Sequence, residues 1–253
     1  MAHRMWKTLP KRPVEIAFHR GACRYAPENT LAAFEKAIRM GADHIEFDIR
    51  HSADGAYFIL HDGYLERTTN GEGAFAETDS EAIQALDAGS WFGKPYRSEK
   101  VPTLDETLEC LKGRAKLYVD AKAIPAEALA AKLEQYGLVD QAVVYQSAGY
   151  LRELRSINPA IRGLCPLSDT GRIDALIESV RPYAFDSSWN TLSKEMIDRC
   201  HELGVKVFSD AMGENERIEA YIRVMEWGID VIQTDYPLRV VRAVELLRTR
   251  REH

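Results

Sequence analysis

Long apolar runs are missing from this 253-residue chain, and no window approaches the unbroken length that a membrane span requires. That excludes integral membrane association. An excess of positive charge is missing too: 33 Lys and Arg stand against 39 Asp and Glu, a net charge of -6 with no Lys/Arg stripe. Nucleic acid is therefore not expected as a partner. Cysteine is scarce, and Cys23, Cys110, Cys165 and Cys200 lie too far apart for zinc-ligand spacing or a disulfide scaffold. A reducing compartment follows. The N-terminal MAHRMWKTLPKRPVEIAF has basic residues with no long apolar segment behind them, so no signal peptide is expected and a cytoplasmic location is. Repeats, low-complexity tracts and Pro/Gly/Ser linkers are absent as well, which favours one domain over residues 1–253.

What the chain does contain is alternation. VEIAF (14–18), HIEFDI (44–49), KLYVDAK (116–122), AVVYQ (142–146), IRGLCPL (161–167), YAFDS (183–187), VKVFS (205–209) and DVIQTD (230–235) are strand-like, and helix-patterned segments separate them. The first of those helices has Asn29 or Thr30 as its cap and Leu31, Phe34 and Ile38 as its apolar stripe. Eight strand-helix units predict an α/β fold, a closed (β/α)8 TIM barrel. An open doubly wound sheet is the alternative, without the Gly-rich dinucleotide loop expected of it. About forty residues, 63–102, form an insertion after the second strand. It holds a short helix, DSEAIQAL, and the aromatics Trp91, Phe92 and Tyr96. It is expected as a lid or pocket wall, or else as a small satellite core enclosing those rings.

IEFDIRHSADGAYFILHD (45–62) places ionisable groups in a strand-like setting. Alternation puts Glu46 and Asp48 on one face. A two-residue turn at Asp54-Gly55 pairs Asp48 with His61, so all three share that face, although a surface hairpin with a polar side is the bland reading. Strand ends on one face of a barrel converge on a single site. Those ends supply His19 and Arg20, then Glu46, Asp48 and His61, then Asp120 and Lys122. Three carboxylates suit Mg2+ or Ca2+, the cations suit phosphate, and two histidines suit acid-base work, a set that describes phosphoryl chemistry. Lys122 has an alternative as the salt-bridge partner of Asp120 or Glu46. His44, His51 and His201 are expected at the surface, Asp62 as a loop anchor and Asp235 as a strand-end cap.

HRGACRYAPENT, EFDI, DGAYFILHD, RTTNGEG and GIDVIQTDYP together resemble the glycerophosphodiester phosphodiesterase family, a branch of the phospholipase C-like barrel phosphodiesterases. The resemblance runs from about Val14 to Pro237. It implies metal-dependent hydrolysis of a small-molecule glycerophosphodiester to sn-glycerol 3-phosphate and an alcohol. His19 and His61 would be the catalytic pair, with Arg20 and Lys122 at the phosphate and Glu46, Asp48 and Asp120 on one divalent cation, Mg2+ or Ca2+. Glu28 would orient Arg20 or His19, and Asn29 would cap the helix. Two departures stand out: Asp120 replaces the family's usual Glu, and FSDA (208–211) replaces its Trp-Thr-x-Asn, leaving Phe208 as an apolar wall of the substrate site. Those departures and the aromatic insertion keep two other readings open: a lysophospholipid or sugar phosphodiester as substrate, and a barrel that binds without turnover. Oligomeric state is not encoded in any of these features.

Overall fold

The computed structural model describes residues 12–251, so the basic stretch 1–11 lies outside the described residues. Nine strands make one sheet. They are β1 Glu15–Phe18, β2 His44–His51, β3 Tyr57–Ile59, β4 Lys116–Asp120, β5 Ala142–Tyr145, β6 Arg162–Leu167, β7 Ala184–Ser187, β8 Lys206–Asp210 and β9 Val231–Thr234. All but β3 pair in parallel, and β1 joins both β2 and β9, so eight strands close into a barrel. The open-sheet alternative is thereby set aside. Around the barrel run α1 Leu31–Met40, α2 Ser80–Ala85, α3 Leu104–Leu111, α4 Ala126–Tyr136, α5 Ala148–Ile157, α6 Ile173–Val180, α7 Lys194–Glu202, α8 Ile218–Trp227 and α9 Pro237–Arg251. None of these helices is long and apolar enough to cross a membrane.

Side-chain alternation sorts each strand between two cores. Residues such as Ile16, Ile45, Leu117 and Val207 point outward into the helices, each fully buried. Truncating one of them, Leu117→Ala for example, would cost about 2–5 kcal/mol through lost transfer energy and the cavity left behind. Inside, Ala17, Tyr118, Val143, Leu164, Ala184, Phe208 and Val231 form a plug, one residue from each of seven strands. His44 of β2 takes the eighth place, edge-on to Phe208 at 5.6 Å, with its Nε2 bonded to Glu15 at 2.8 Å. It is 3 % exposed, not a surface residue as expected, because it shares the inward face with Glu46 and Asp48. Above the plug the barrel is polar.

The β2–β3 hairpin differs from the expected register by one residue, pairing Ile49 with Ile59 and His51 with Tyr57. Ser52 causes the shift. Its N–H bonds Ala56 O, its carbonyl receives Gly55 N–H, and its hydroxyl accepts from Ala56 N–H, so the loop is longer than two residues. Gly55 takes φ 84 to complete it. After β3 the chain leaves on its long excursion and returns to the point of departure: Ile59 N–H bonds Pro102 O at 2.9 Å, and Phe58 bridges Thr103. Phe58, Leu60, Leu65, Phe75, Ile83, Ala88 and Val101 fill it as a satellite core. Trp91, Phe92 and Tyr96 stand outside that core in an edge-to-face stack, and Tyr96 fastens its hydroxyl to Tyr25 O at 2.7 Å.

Candidate active site

At the C-terminal mouth of the barrel, a cavity of about 310 Å³ is lined by His19, Arg20, Glu46, Asp48, His61, Asp120 and Lys122. The backbone brings them there. β2 and β4 pair Glu46 with Tyr118 and Asp48 with Asp120, so the carboxylates of two strands meet side by side. Oxygens of Glu46, Asp48 and Asp120 lie within 4.8 Å of one another. Burial, with repulsion from Asp48 and Asp120, drives the Glu46 carboxyl well above its ordinary range, and burial and Asp48 raise that of Asp120.

His19 and Arg20 follow β1 in a turn held by two left-handed residues, Arg20 at φ 52 and Gly21 at φ 78. A Cβ on Gly21 would sit 2.9 Å from the Ala33 backbone, so glycine is required. The turn aims Arg20 N–H at Glu46 Oε2, 2.7 Å away, and the guanidinium at Glu28, 2.8 Å away. Asn29, also left-handed at φ 55, does not cap α1; Thr30 does, accepting Ala33 N–H at 3.2 Å. Asn29 instead donates its Nδ2 to Asp48 Oδ2 at 2.8 Å. On the far side Lys122 Nζ stands 2.6 Å from Asp120, one of the two partners weighed from sequence, and 3.2 Å from Asp48, which was not weighed.

Each imidazole is backed by a carboxylate. His19 Nδ1 pairs with Asp235 at 2.7 Å and His61 Nδ1 with Asp62 at 2.6 Å. Asp235 is therefore more than a strand-end cap. Burial would raise its carboxyl, and the hydrogen bond and charge of His19 outweigh burial, leaving it below the ordinary value. Asp62 too is held below its ordinary value, first by the Arg67 hydrogen bond, and Arg67 forks onward to both oxygens of Glu28 at 2.9 and 2.8 Å. His61 reaches the cavity despite the shifted register because it lies beyond the end of β3 and is fixed by Asp62.

Phe208 is the site residue that the structure places elsewhere. It belongs to the plug below the cavity, 1 % exposed against Tyr118 and His44, because its inward face lies one layer under the mouth. The cavity is lined on that side by Asp186, Asp210, Met212 and Gln233, none of them singled out from sequence. Asp210 was visible as the third letter of FSDA, two residues beyond Phe208 on the same strand face. Residues 63–102 contribute nothing to the lining of this cavity.

The three carboxylates fit a hard divalent cation by donor type. A second observation agrees: Asn29 Oδ1, beside Asp48, is buried with no hydrogen-bond partner. A parallel barrel with an acidic cluster of a kind that can hold a cation, Arg20 and Lys122 beside it and two carboxylate-backed histidines at its mouth fits the phosphodiester hydrolase class. Comparison with known proteins agrees on the class. A model of the glycerophosphoryl diester phosphodiesterase family matches residues 19–239, and the chain belongs to that family. The glycerophosphodiester phosphodiesterase of Caldanaerobacter subterraneus subsp. tengcongensis is 32% identical over 243 residues, which cover 90% of this chain and 97% of that one. Among solved structures, the glycerophosphodiester phosphodiesterase from Agrobacterium tumefaciens superposes with a TM-score of 0.81 at 31% identity, covering 90% of this chain and 99% of that one. An Oleispira antarctica phosphodiesterase, in complex with the product sn-glycerol-3-phosphate, gives 0.81 at 26% identity over 95% of this chain and 99% of its own.

Proposed function

We propose that the chain hydrolyses glycerophosphodiesters to sn-glycerol 3-phosphate and an alcohol, using a divalent cation, Mg2+ or Ca2+, and His19 and His61 as its acid-base pair. One observation carries the reading: both imidazoles have Nδ1 engaged by a carboxylate, at 2.7 and 2.6 Å, and both line the cavity that holds the three-carboxylate cluster. With Nδ1 so occupied, Nε2 is the nitrogen left to exchange a proton with substrate. Glu46, Asp48 and Asp120 would hold the cation, which when bound supplies positive charge beside a phosphoryl oxygen.

Arg20 and Lys122 add charge at the phosphate, and Glu28 orients the Arg20 guanidinium at 2.8 Å. One histidine accepts the proton of the glycerol 2-hydroxyl as that oxygen attacks phosphorus, and the other protonates the departing alcohol. The cyclic phosphate so formed is opened by water with the two roles reversed. The product bound in the Oleispira antarctica structure supports this choice of substrate. The aromatic stack and Phe208 do not line the cavity, which weakens the lysophospholipid and sugar-diester readings, while Asp210 of FSDA does line it and keeps the alcohol side of the site distinctive. Four free cysteines are in keeping with a cytoplasmic setting. A dehydrogenase-coupled assay for sn-glycerol 3-phosphate tests the reading. Release that EDTA stops and Mg2+ or Ca2+ restores is the expected result, and full activity in EDTA would overturn the role of the cation.

A further inference from the structure

Opposite the ion cluster the mouth is acidic again. In the ring of strands, β7 and β8 lie across from β2 and β4, and they bring Asp186 and Asp210 to the cavity wall. No Lys or Arg among the described residues forms an ion pair with either one, and Asp186 has the Tyr118 hydroxyl as a donor. Gln233, in register with Asp210 on β9, lines the same wall. It is 8% exposed, and its Oε1 is buried without a hydrogen-bond partner. Past these residues the wall opens into a second cavity of about 260 Å³, which shares Tyr145, Asp186 and Asp210 with the first.

Two carboxylates flank an amide oxygen that is buried without a donor, and that oxygen is costly to leave so. Burial and the charge of Asp210 push the Asp186 carboxyl well above its ordinary range, and burial raises Asp210 as well. A third carboxylate, His or Cys within ligand distance would make the pair a metal cluster, but the clusters of that kind among the described residues lie elsewhere. A ligand cation with its own N–H donors answers the same need.

Resting on the glycerophosphodiester reading, we propose that Asp186, Asp210 and Gln233 form a subsite for a primary ammonium on the leaving alcohol. The phosphate sits at Arg20, Lys122 and the ion cluster, and the alcohol extends across the barrel toward β7 and β8. Three N–H donors of a primary ammonium match the acceptors of the wall, and a quaternary ammonium brings charge without N–H.

The test compares kcat/KM of the full-length enzyme for three diesters of sn-glycerol 3-phosphate, those of ethanolamine, choline and glycerol, in saturating divalent cation. The ethanolamine diester is expected to lead the neutral glycerol diester by about tenfold or more, with the choline diester between them. Asp210→Asn, at the exposed rim, and the double variant Asp186→Asn/Asp210→Asn should each pull that ratio toward one. An ethanolamine preference absent from the wild type, matched by choline, or untouched in both variants would overturn the subsite and leave the hydrolysis reading standing. No release of sn-glycerol 3-phosphate from any of the three by the wild type would overturn both.

Discussion

His19 and Asp235 meet at 2.7 Å across 216 positions of sequence, joining the ends of the first and last barrel strands. The carboxylate accepts from Nδ1 and fixes which nitrogen faces the cavity. Asp235→Asn keeps the shape and loses that preference. It is expected to lower kcat about 10²-fold with little change in KM or melting temperature. Steady-state kinetics alongside a thermal melt would show it, and an unaltered kcat would remove Asp235 from the mechanism.

The two imidazoles themselves should behave as a pair. His19→Ala and His61→Ala are each expected to cost at least about 10²-fold in turnover while leaving a folded protein by circular dichroism. A variant with wild-type rates would take its histidine out of the reaction.

Asn29 offers a cleaner dissection, because its backbone and side chain do separate things. At φ 55 the position tolerates glycine, so Asn29→Gly should fold while deleting the amide that bonds Asp48 at 2.8 Å. Divalent-cation affinity is expected to fall about 10- to 100-fold by calorimetry, the usual effect of losing a group that holds a ligand. Asn29→Ala should show the same loss plus a lower melting temperature from the strained backbone.

The acidic cluster sets a pH dependence with a definite sign. Glu46 and Asp120 have raised pKa values in the folded, cation-free protein, by burial first and then by repulsion from Asp48. The folded state therefore binds more protons than the unfolded chain, and the contribution of these groups to stability falls as pH climbs above their unfolded values, about 4. A divalent cation should relieve that cost. The rise in melting temperature on adding Ca2+ or Mg2+ is expected to be larger at pH 8 than at pH 5, and a gain independent of pH would contradict the assignment.

How much of this was legible follows from the range of each interaction. The eight barrel strands and their helices were readable, since period-two and period-3.6 patterns are local and each strand-like run of the sequence became a strand. The clustering of Glu46, Asp48 and Asp120 was readable too, because barrel topology gathers strand ends. Choices between near-equal local options were not. Asn29 and Thr30 both cap helices well, and the αL backbone at Asn29 decided for Thr30. Asp54-Gly55 promised a two-residue turn until the Ser52 hydroxyl entered it. Pairings such as His19 with Asp235 leave no local trace, and Phe208 was misplaced by a single layer along its strand.

The chain between Leu60 and Val101 leaves and rejoins the barrel at one hydrogen-bonded gate, Ile59 to Pro102, and carries its own apolar filling. Such a segment behaves as a cassette. Its ends are already clamped, so doubling its length would add only about 0.6 kcal/mol of closure entropy. Exchanging it for another segment would leave the staves of the barrel in place, but the replacement has to keep an arginine where Arg67 now grips Asp62 and Glu28 at the edge of the site.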